Sequence, residues 1–266
     1  MTPFLPAKRL GQNFLVDENI LNRIINACDL HDSDDVLEIG PGHGALTRAL
    51  LPRVRKVIAV ETDPKLSDEL RQGLVPLGLR LHSADILSFD ISSVISGPVK
   101  VIGNIPYNIS TPIMEKMITD RRSIRSLYLT VQYEFGKRLT AATGSKDRSA
   151  LTCLLDFFAI PKIQFRISNQ AFRPIPKVES CFMRIDFRTS LLFPLKNEAF
   201  FIKVVKTAFL QRRKILLNAL APLASKEEVQ RALVQAGIKE KTRPEDVKSQ
   251  DYARISNILF KGLIHA

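Results

Sequence analysis

A chain of 266 residues, 45% hydrophobic and 25% charged, has the composition of a globular protein large enough to bury a sizeable core as one large domain or two. No apolar run approaches the roughly 18 residues of a membrane helix, which excludes helical membrane spans. The formal net charge of +12 argues for a polyanionic partner through release of phosphate counterions, with a merely basic solvated surface as the alternative of equal weight.

The N-terminal stretch MTPFLPAKRLGQNFL lacks the apolar core of a signal peptide, so a cytoplasmic protein is expected. From there to residue 188, short apolar runs alternate with amphipathic stretches. NILNRIINAC (19–28) carries helical periodicity, and DDVLEIG (34–40) reads as the first strand of a core sheet. KVIAVE (56–61), LRLHSAD (79–85), VKVIGN (99–104) and SLYLTVQ (126–132) are further strands, with a helix over DPKLSDELRQGL (63–74). Such alternation predicts an α/β domain over 1–188 with a mostly parallel sheet covered by helices. AIPKIQFRI and SCFMRIDFR (180–188) are candidates for an antiparallel end to it.

After TSLLFPLKN only helical periodicity remains, giving a small all-helical domain over 196–266 that holds a disproportionate share of the surplus positive charge. Its longest pattern, EAFFIKVVKTAFLQRRKILLNAL, predicts one amphipathic helix with Phe209, Leu216 and Leu217 facing the core. Arg212, Arg213 and Lys214 lie within it, and the spacing of Lys203, Lys206 and Arg213 places them on one solvent face. These five cations are the candidate contacts to a polyanion, RNA if the substrate proves to be one; on spacing alone such a face merely solubilises the helix. Cys28, Cys153 and Cys181 are too scattered for a disulfide framework or zinc site, and no pattern among His31, His43, His82 and His265 suggests a metal.

Two stretches carry chemistry. In VLEIGPGHGALT, Gly40, Gly42 and Gly44 follow a strand and precede a helix, where glycine permits a sharp turn and close approach to a ligand. Glu61 ends the next strand, about 20 residues on, where a carboxylate can accept from both ribose hydroxyls. Asp85 ends the following strand, within reach of an adenine amino group. Each alone could be a cap or a solvated loop carboxylate; three successive strand ends converging on one nucleoside argue otherwise. No lysine follows the glycines as in a phosphate-cradling loop, so an adenosine lacking a polyphosphate, S-adenosyl-L-methionine, is the expected cofactor.

The second stretch is GNIPYNIST (103–111). Asn104 offers an amide oxygen and Pro106 a carbonyl, two acceptors able to hold an exocyclic amino group as a nucleophile and to meet the charge that develops on it. Tyr107 offers a flat face for a base, and Thr111-Pro112 reads as a helix N-cap with proline at the first helical position. The competing reading is a turn that closes a strand, with Tyr107 packed on the core.

These two stretches, with GQNFL (11–15), FRPIPKVES (172–180), FLQRRKILLNAL and RPEDVKSQDYARISNIL, resemble the S-adenosylmethionine-dependent ribosomal RNA adenine N6-dimethyltransferases nearly end to end. The resemblance implies a Rossmann-like methyltransferase sheet followed by the small helical domain, acting on small-subunit (16S) rRNA; a monomer is expected. It also implies dimethylation of two adjacent adenines near the 3′ end of that RNA. Asn13 and Leu15, within a 1–18 segment contributing to the cofactor site, would line it with Gly40, Glu61, Asp85 and Asn104. Asn104 and Tyr107 would orient and stack the target adenine, and Phe172 would close over its other face. Read on its own, Phe172 between two loops favours packing. Two departures bear on RNA contacts: Tyr133 stands where the family has lysine, and the GSKDRSALT loop (144–152) is short. The rival readings are a large-subunit rRNA adenine methyltransferase, a non-catalytic RNA-binding assembly factor, and a DNA adenine methyltransferase. The last finds no helix-turn-helix signature in the tail.

Overall fold

The structure, a computed structural model, describes residues 12–239 and 241–264, the last four of them by backbone alone. Residues 1–11 of the segment expected at the cofactor site, and His265, lie outside the described residues. The chain forms two units, Met1–Gly136 with Pro161–Phe187, and Lys137–Ile160 with Arg188–Ala266. The contiguous 1–188 domain expected from the sequence is therefore interrupted, because residues 137–160 cluster with the C-terminal helices.

In the first unit, strands β1 (Phe14–Leu15), β2 (Asp35–Ile39), β3 (Lys56–Glu61), β4 (Arg80–Ser83), β5 (Val99–Asn104) and β6 (Ile124–Gln132) appear in chain order. They are followed by β7 (Ala159–Ile167), β8 (Phe172–Arg173) and β9 (Ser180–Phe187). The main sheet runs β4-β3-β2-β5-β6-β9-β7, parallel from β4 through β6, with β9 antiparallel to β6. All of β2 and nearly all of β5 is buried, as expected of central strands whose two faces are both covered. Helices α1 (Glu18–Ala27), α2 (Ala45–Leu50), α3 (Pro64–Gly73) and α4 (Ser110–Thr119) connect the strands. Asp17 caps α1 by accepting from the Asn19 and Ile20 amides, and Asp63 caps α3 with Pro64 pre-set at its first position.

From β2 the chain winds outward through β3 to β4, then returns to β5 on the other side of β2. The strand order therefore reverses between β2 and β5. In an open α/β sheet the crevice at such a reversal, outside the carboxyl ends of the strands, is where ligands bind. This is the Rossmann-like arrangement expected from the motifs.

The second unit is helical. After α5 (Tyr133–Leu139), α6 (Ala150–Phe158) opens with a Ser149–Thr152 capping box and packs on α7 (Glu198–Leu210), the Phe157 and Phe201 ring centroids lying 4.5 Å apart. That apolar face is why α6 groups with the tail. Arg148, 1% exposed, donates to the Asp156 carboxylate at 3.2 Å, and the Ser249 hydroxyl donates to the same oxygen at 2.7 Å. The long helix expected through residue 220 ends at Leu210. Residues 211–215 form a turn before α8 (Leu216–Ala219), so Arg212, Arg213 and Lys214 are not helical, and Arg213 shares no helix face with Lys203 and Lys206. Tertiary bonds override the local propensity: the Leu216 amide donates to the Thr242 carbonyl at 2.8 Å, and Arg212 binds the Lys146 carbonyl and the Glu245 carboxylate. Leu216 and Leu217 are buried as expected, and Phe209 lies half-buried against Tyr252. Helices α9 (Lys226–Gln235) and α10 (Ser249–Ile264) complete the unit, and no helix among the described residues is long and apolar enough to cross a membrane. Cys28, Cys153 and Cys181 are free and buried, and burial pushes each thiol up to about 12, which leaves them inert packing groups.

Candidate active site

The β2 strand runs into the glycine turn, and two of its glycines are required for different reasons. Gly42 has φ of 59°, and a Cβ there would lie 2.9 Å from the Phe14 ring. Gly44 has φ of 78°, and a Cβ there would meet Leu74 at 2.4 Å. The first keeps the turn against the N-terminal segment, and the second lets α2 start against the α3 end. At Gly40 a Cβ would meet nothing within 4 Å, so this part of the turn faces open space.

Glu61, the last residue of β3, is 4% exposed. One carboxylate oxygen accepts from the Gly42 amide at 3.1 Å and the other from the Asp63 amide at 2.9 Å. Burial raises its pKa, and these backbone donors oppose the rise. The Thr62 amide also acts on this carboxylate, which, with about four acceptor sites, keeps capacity for a ligand hydroxyl. Asp85 lies just beyond the end of β4 rather than within it, and one of its oxygens accepts from the Leu87 amide at 2.9 Å. Behind the turn, Glu38 of β2 is buried with the Thr47 hydroxyl donating to it at 2.7 Å, and burial pushes its carboxyl up to about 7.

Asn104 ends β5, and its amide nitrogen donates to the Asn13 carbonyl at 2.6 Å. With the nitrogen occupied, the amide oxygen is the atom left to accept from a ligand. The expectation for Pro106 needs correcting at the atom. Its carbonyl already accepts from the Ile109 amide at 3.2 Å and the Ser110 hydroxyl at 3.1 Å, so it turns into the chain rather than toward a ligand. Among the described residues no hydrogen bond reaches the neighbouring Ile105 carbonyl, which is the second acceptor this stretch can offer. Tyr107 is half-buried, and its hydroxyl shares a 2.7 Å hydrogen bond with Ser180 of β9, which fixes the ring by its tip. Thr111 is not the N-cap; α4 already begins at Ser110, and Pro112 sits in its first turn, where amides lack helical partners anyway.

One cavity at the strand ends brings together Asn13, Gly40, Gly42, Glu61, Asp85, Asn104, Pro106 and Tyr107. Leu15 and Phe172 are not in its wall. The antiparallel pairing of β1 with β8 sets Leu15 opposite Phe172, and both are packed in the hydrophobic core, Phe172 with no exposure. The sequence reading missed Phe14, Thr62, Ile86 and Ile105, which do line the cavity. Phe14 was legible only as part of the GQNFL motif.

The cavity suits S-adenosylmethionine on its own chemistry. It has two carboxylates, open space above Gly40, apolar walls at Val60 and Ile86, and no lysine or arginine among its lining residues. A sulfonium cation and a nucleoside fit such a lining, and a polyphosphate does not.

A family model described as ribosomal RNA adenine dimethylase matches residues 5–261. A ribosomal RNA small subunit methyltransferase A from Moorella thermoacetica is 38% identical, with 96% of this chain and 93% of that protein covered. Among solved structures, a dimethyladenosine transferase from Plasmodium falciparum superposes with a TM-score of 0.79 at 26% identity, covering 91% of this chain and 95% of that one. The 23S rRNA methyltransferase ErmE gives 0.71 at 28% identity, covering 93% and 100%.

Proposed function

The chain belongs to the ribosomal RNA adenine dimethylase family, and from that premise we propose that it dimethylates the N6 amino groups of two adjacent adenines near the 3′ end of small-subunit rRNA. S-adenosylmethionine, when bound, supplies the electrophilic methyl group. Glu61 would accept from the ribose hydroxyls and Asp85 from the adenine amino group of the cofactor, with Gly40 and Gly42 admitting it to the backbone.

The target nitrogen is a poor nucleophile because its lone pair is delocalised into the ring. The Asn104 amide oxygen and the Ile105 carbonyl accept from its two protons, favour a pyramidal nitrogen, and meet the positive charge as it develops. Both acceptors are neutral, so the amine is not deprotonated first; the proton leaves for solvent after transfer. Tyr107 holds the base by its face, steadied at the hydroxyl by Ser180. The observation that carries this reading is the anchored Asn104 amide standing in the same cavity as Glu61 and Asp85. In the helical unit, exposed Lys203, Lys206, Arg213 and Lys214 supply RNA-phosphate contacts, and Arg212, half-buried and paired with Glu245, serves to hold the turn.

Transfer of labelled methyl groups to small subunits, large subunits and bare RNA tests the proposal. Label should appear on small-subunit rRNA as N6,N6-dimethyladenine. Label confined to large-subunit RNA would move the protein to the ErmE-like activity, and label on DNA or protein alone would overturn the reading.

A further inference from the structure

A pair of side chains tied through the backbone to the segment that holds Tyr107 is not used by the reaction described above. Tyr133 follows Gln132, the last residue of β6, and Gln132 pairs with Ser180 in the sheet. The Tyr133 amide donates to the Glu179 carbonyl at 2.9 Å, and the next residue, Ser180, holds the Tyr107 hydroxyl. Tyr133 is thus tied to the segment that steadies the ring assigned to the target base. The guanidinium carbon of Arg166, on β7, sits 3.9 Å from the centroid of the Tyr133 ring, and an Arg166 N–H donates to the Tyr133 hydroxyl.

The Arg166 side chain is 61% exposed, so one face of the guanidinium lies on tyrosine while much of the group meets solvent. Its ion pair with Glu179 spans 3.9 Å between exposed groups and contributes little, so it is readily exchanged for another anion. Arg173 on β8 and Lys177 in the loop after it are exposed, so the segment leading to Glu179 carries two further cations.

A base that is to be modified on its amino group must leave its stack, which uncovers the face of its neighbour. Single-stranded RNA is recognised by stacking such faces on aromatic rings and arginine planes. We propose that the Tyr133–Arg166 pair is a stacking platform for the nucleotide adjoining the target adenine. The proposal rests on the RNA-methylating reading above and assigns it a second base-contacting position outside the cavity. Arg166 supplies the contact plane, and Tyr133 fixes that plane and lowers the entropy lost when a base settles on it.

The test is steady-state methylation of small subunits by Arg166→Ala, Arg166→Lys and Tyr133→Leu variants, with cofactor affinity measured on each. Arg166→Ala should raise KM for the subunit roughly 5- to 100-fold, the scale of one lost base-stacking contact, with kcat within about twofold and cofactor affinity unchanged. Arg166→Lys keeps the charge but not the plane, and should leave most of the KM defect in place. Tyr133→Leu should reproduce the defect; the two Arg166 variants decide the matter by themselves if it does not fold. Full rescue by lysine would replace stacking with a simple phosphate contact, and an unchanged KM in Arg166→Ala would make the pair a surface packing feature. Either result overturns the platform. A wild-type protein that methylates no ribosomal RNA would sink the function and the platform together, whereas variants indistinguishable from an active wild type sink the platform alone.

Discussion

The side-chain amide of Asn104 reaches across 91 residues of chain to the backbone carbonyl of Asn13, at 2.6 Å. The contact does more than join two segments. An amide rotated by half a turn would set its oxygen against that carbonyl, so the bond selects the rotamer that leaves an acceptor in the cavity. Asn104→Ala should therefore retain fold and RNA binding but lose about 10²–10³ in methyl transfer, the scale of removing one group that acts in the transition state. Asn104→Asp should be no better, because a carboxylate in that place repels the Asn13 carbonyl and must turn away. Single-turnover methylation measures both, and near-wild-type rates would remove Asn104 from the chemistry.

Glu61 serves two masters, and its substitution should show both. It accepts from the Gly42 and Asp63 amides, with the Thr62 amide also acting on it, so Glu61→Ala leaves backbone donors unpaired and should lower stability by about 1–3 kcal/mol per group. It should also remove most of the cofactor affinity, through loss of the ribose contacts. Glu61→Gln, of the same shape, should recover part of the stability and less of the affinity. Calorimetric titration beside thermal unfolding separates the effects; a Glu61→Ala protein with intact cofactor affinity would eliminate the ribose role.

The strand-end residues were legible because a parallel sheet has one functional edge: Gly40, Glu61 and Asn104 each fall at or near the carboxyl end of a run of buried aliphatics, and Asp85 follows a more exposed edge strand. What the sequence hid was decided by pairing between distant segments. Nothing local in GQNFL or FRPIP says that Leu15 will face Phe172 in a two-stranded ladder and carry both into the core. Nor does the helical pattern around Gln211 betray the break there, which depends on the Thr242 carbonyl receiving the Leu216 amide. The carbonyl of Pro106 was misjudged for a similar reason: the tight turn into α4 consumes it and leaves that of Ile105.

Glu38 should give the protein an alkaline-side weakness. Burial lifts its carboxyl from 4.5 to about 7, so between those values the folded state keeps a proton that the unfolded chain has released. Folding is then favoured at the lower pH, and this contribution of about 3 kcal/mol is lost as pH rises through the window. Glu38→Gln can keep the Thr47 bond without the charge. It should be more stable than wild type above pH 7 and show a shallower decline of Tm between pH 5 and 8; some slope should remain, since burial raises Glu61 in the same direction. Parallel Tm profiles for the two proteins would discount the effect.

The basic surface of the helical unit makes a prediction about salt. Lys203 on α7 and Arg213 and Lys214 in the following turn are exposed, so their replacement disturbs no core. Arg212 is different: it holds the Lys146 carbonyl and Glu245, and its loss should cost stability as well as charge. The triple variant Lys203→Ala, Arg213→Ala, Lys214→Ala should unfold like wild type and bind cofactor like wild type, because all three residues belong to the helical unit and the cavity is lined wholly by the other. Its affinity for small subunits should fall, and the slope of log K against log salt should flatten by about 0.7–0.9 for each phosphate contact removed. Binding measured across a salt series distinguishes this from a change of shape, which would lower affinity at every salt concentration and leave the slope alone. An unaltered slope would make these three cations a solvated surface and transfer the docking role to other residues.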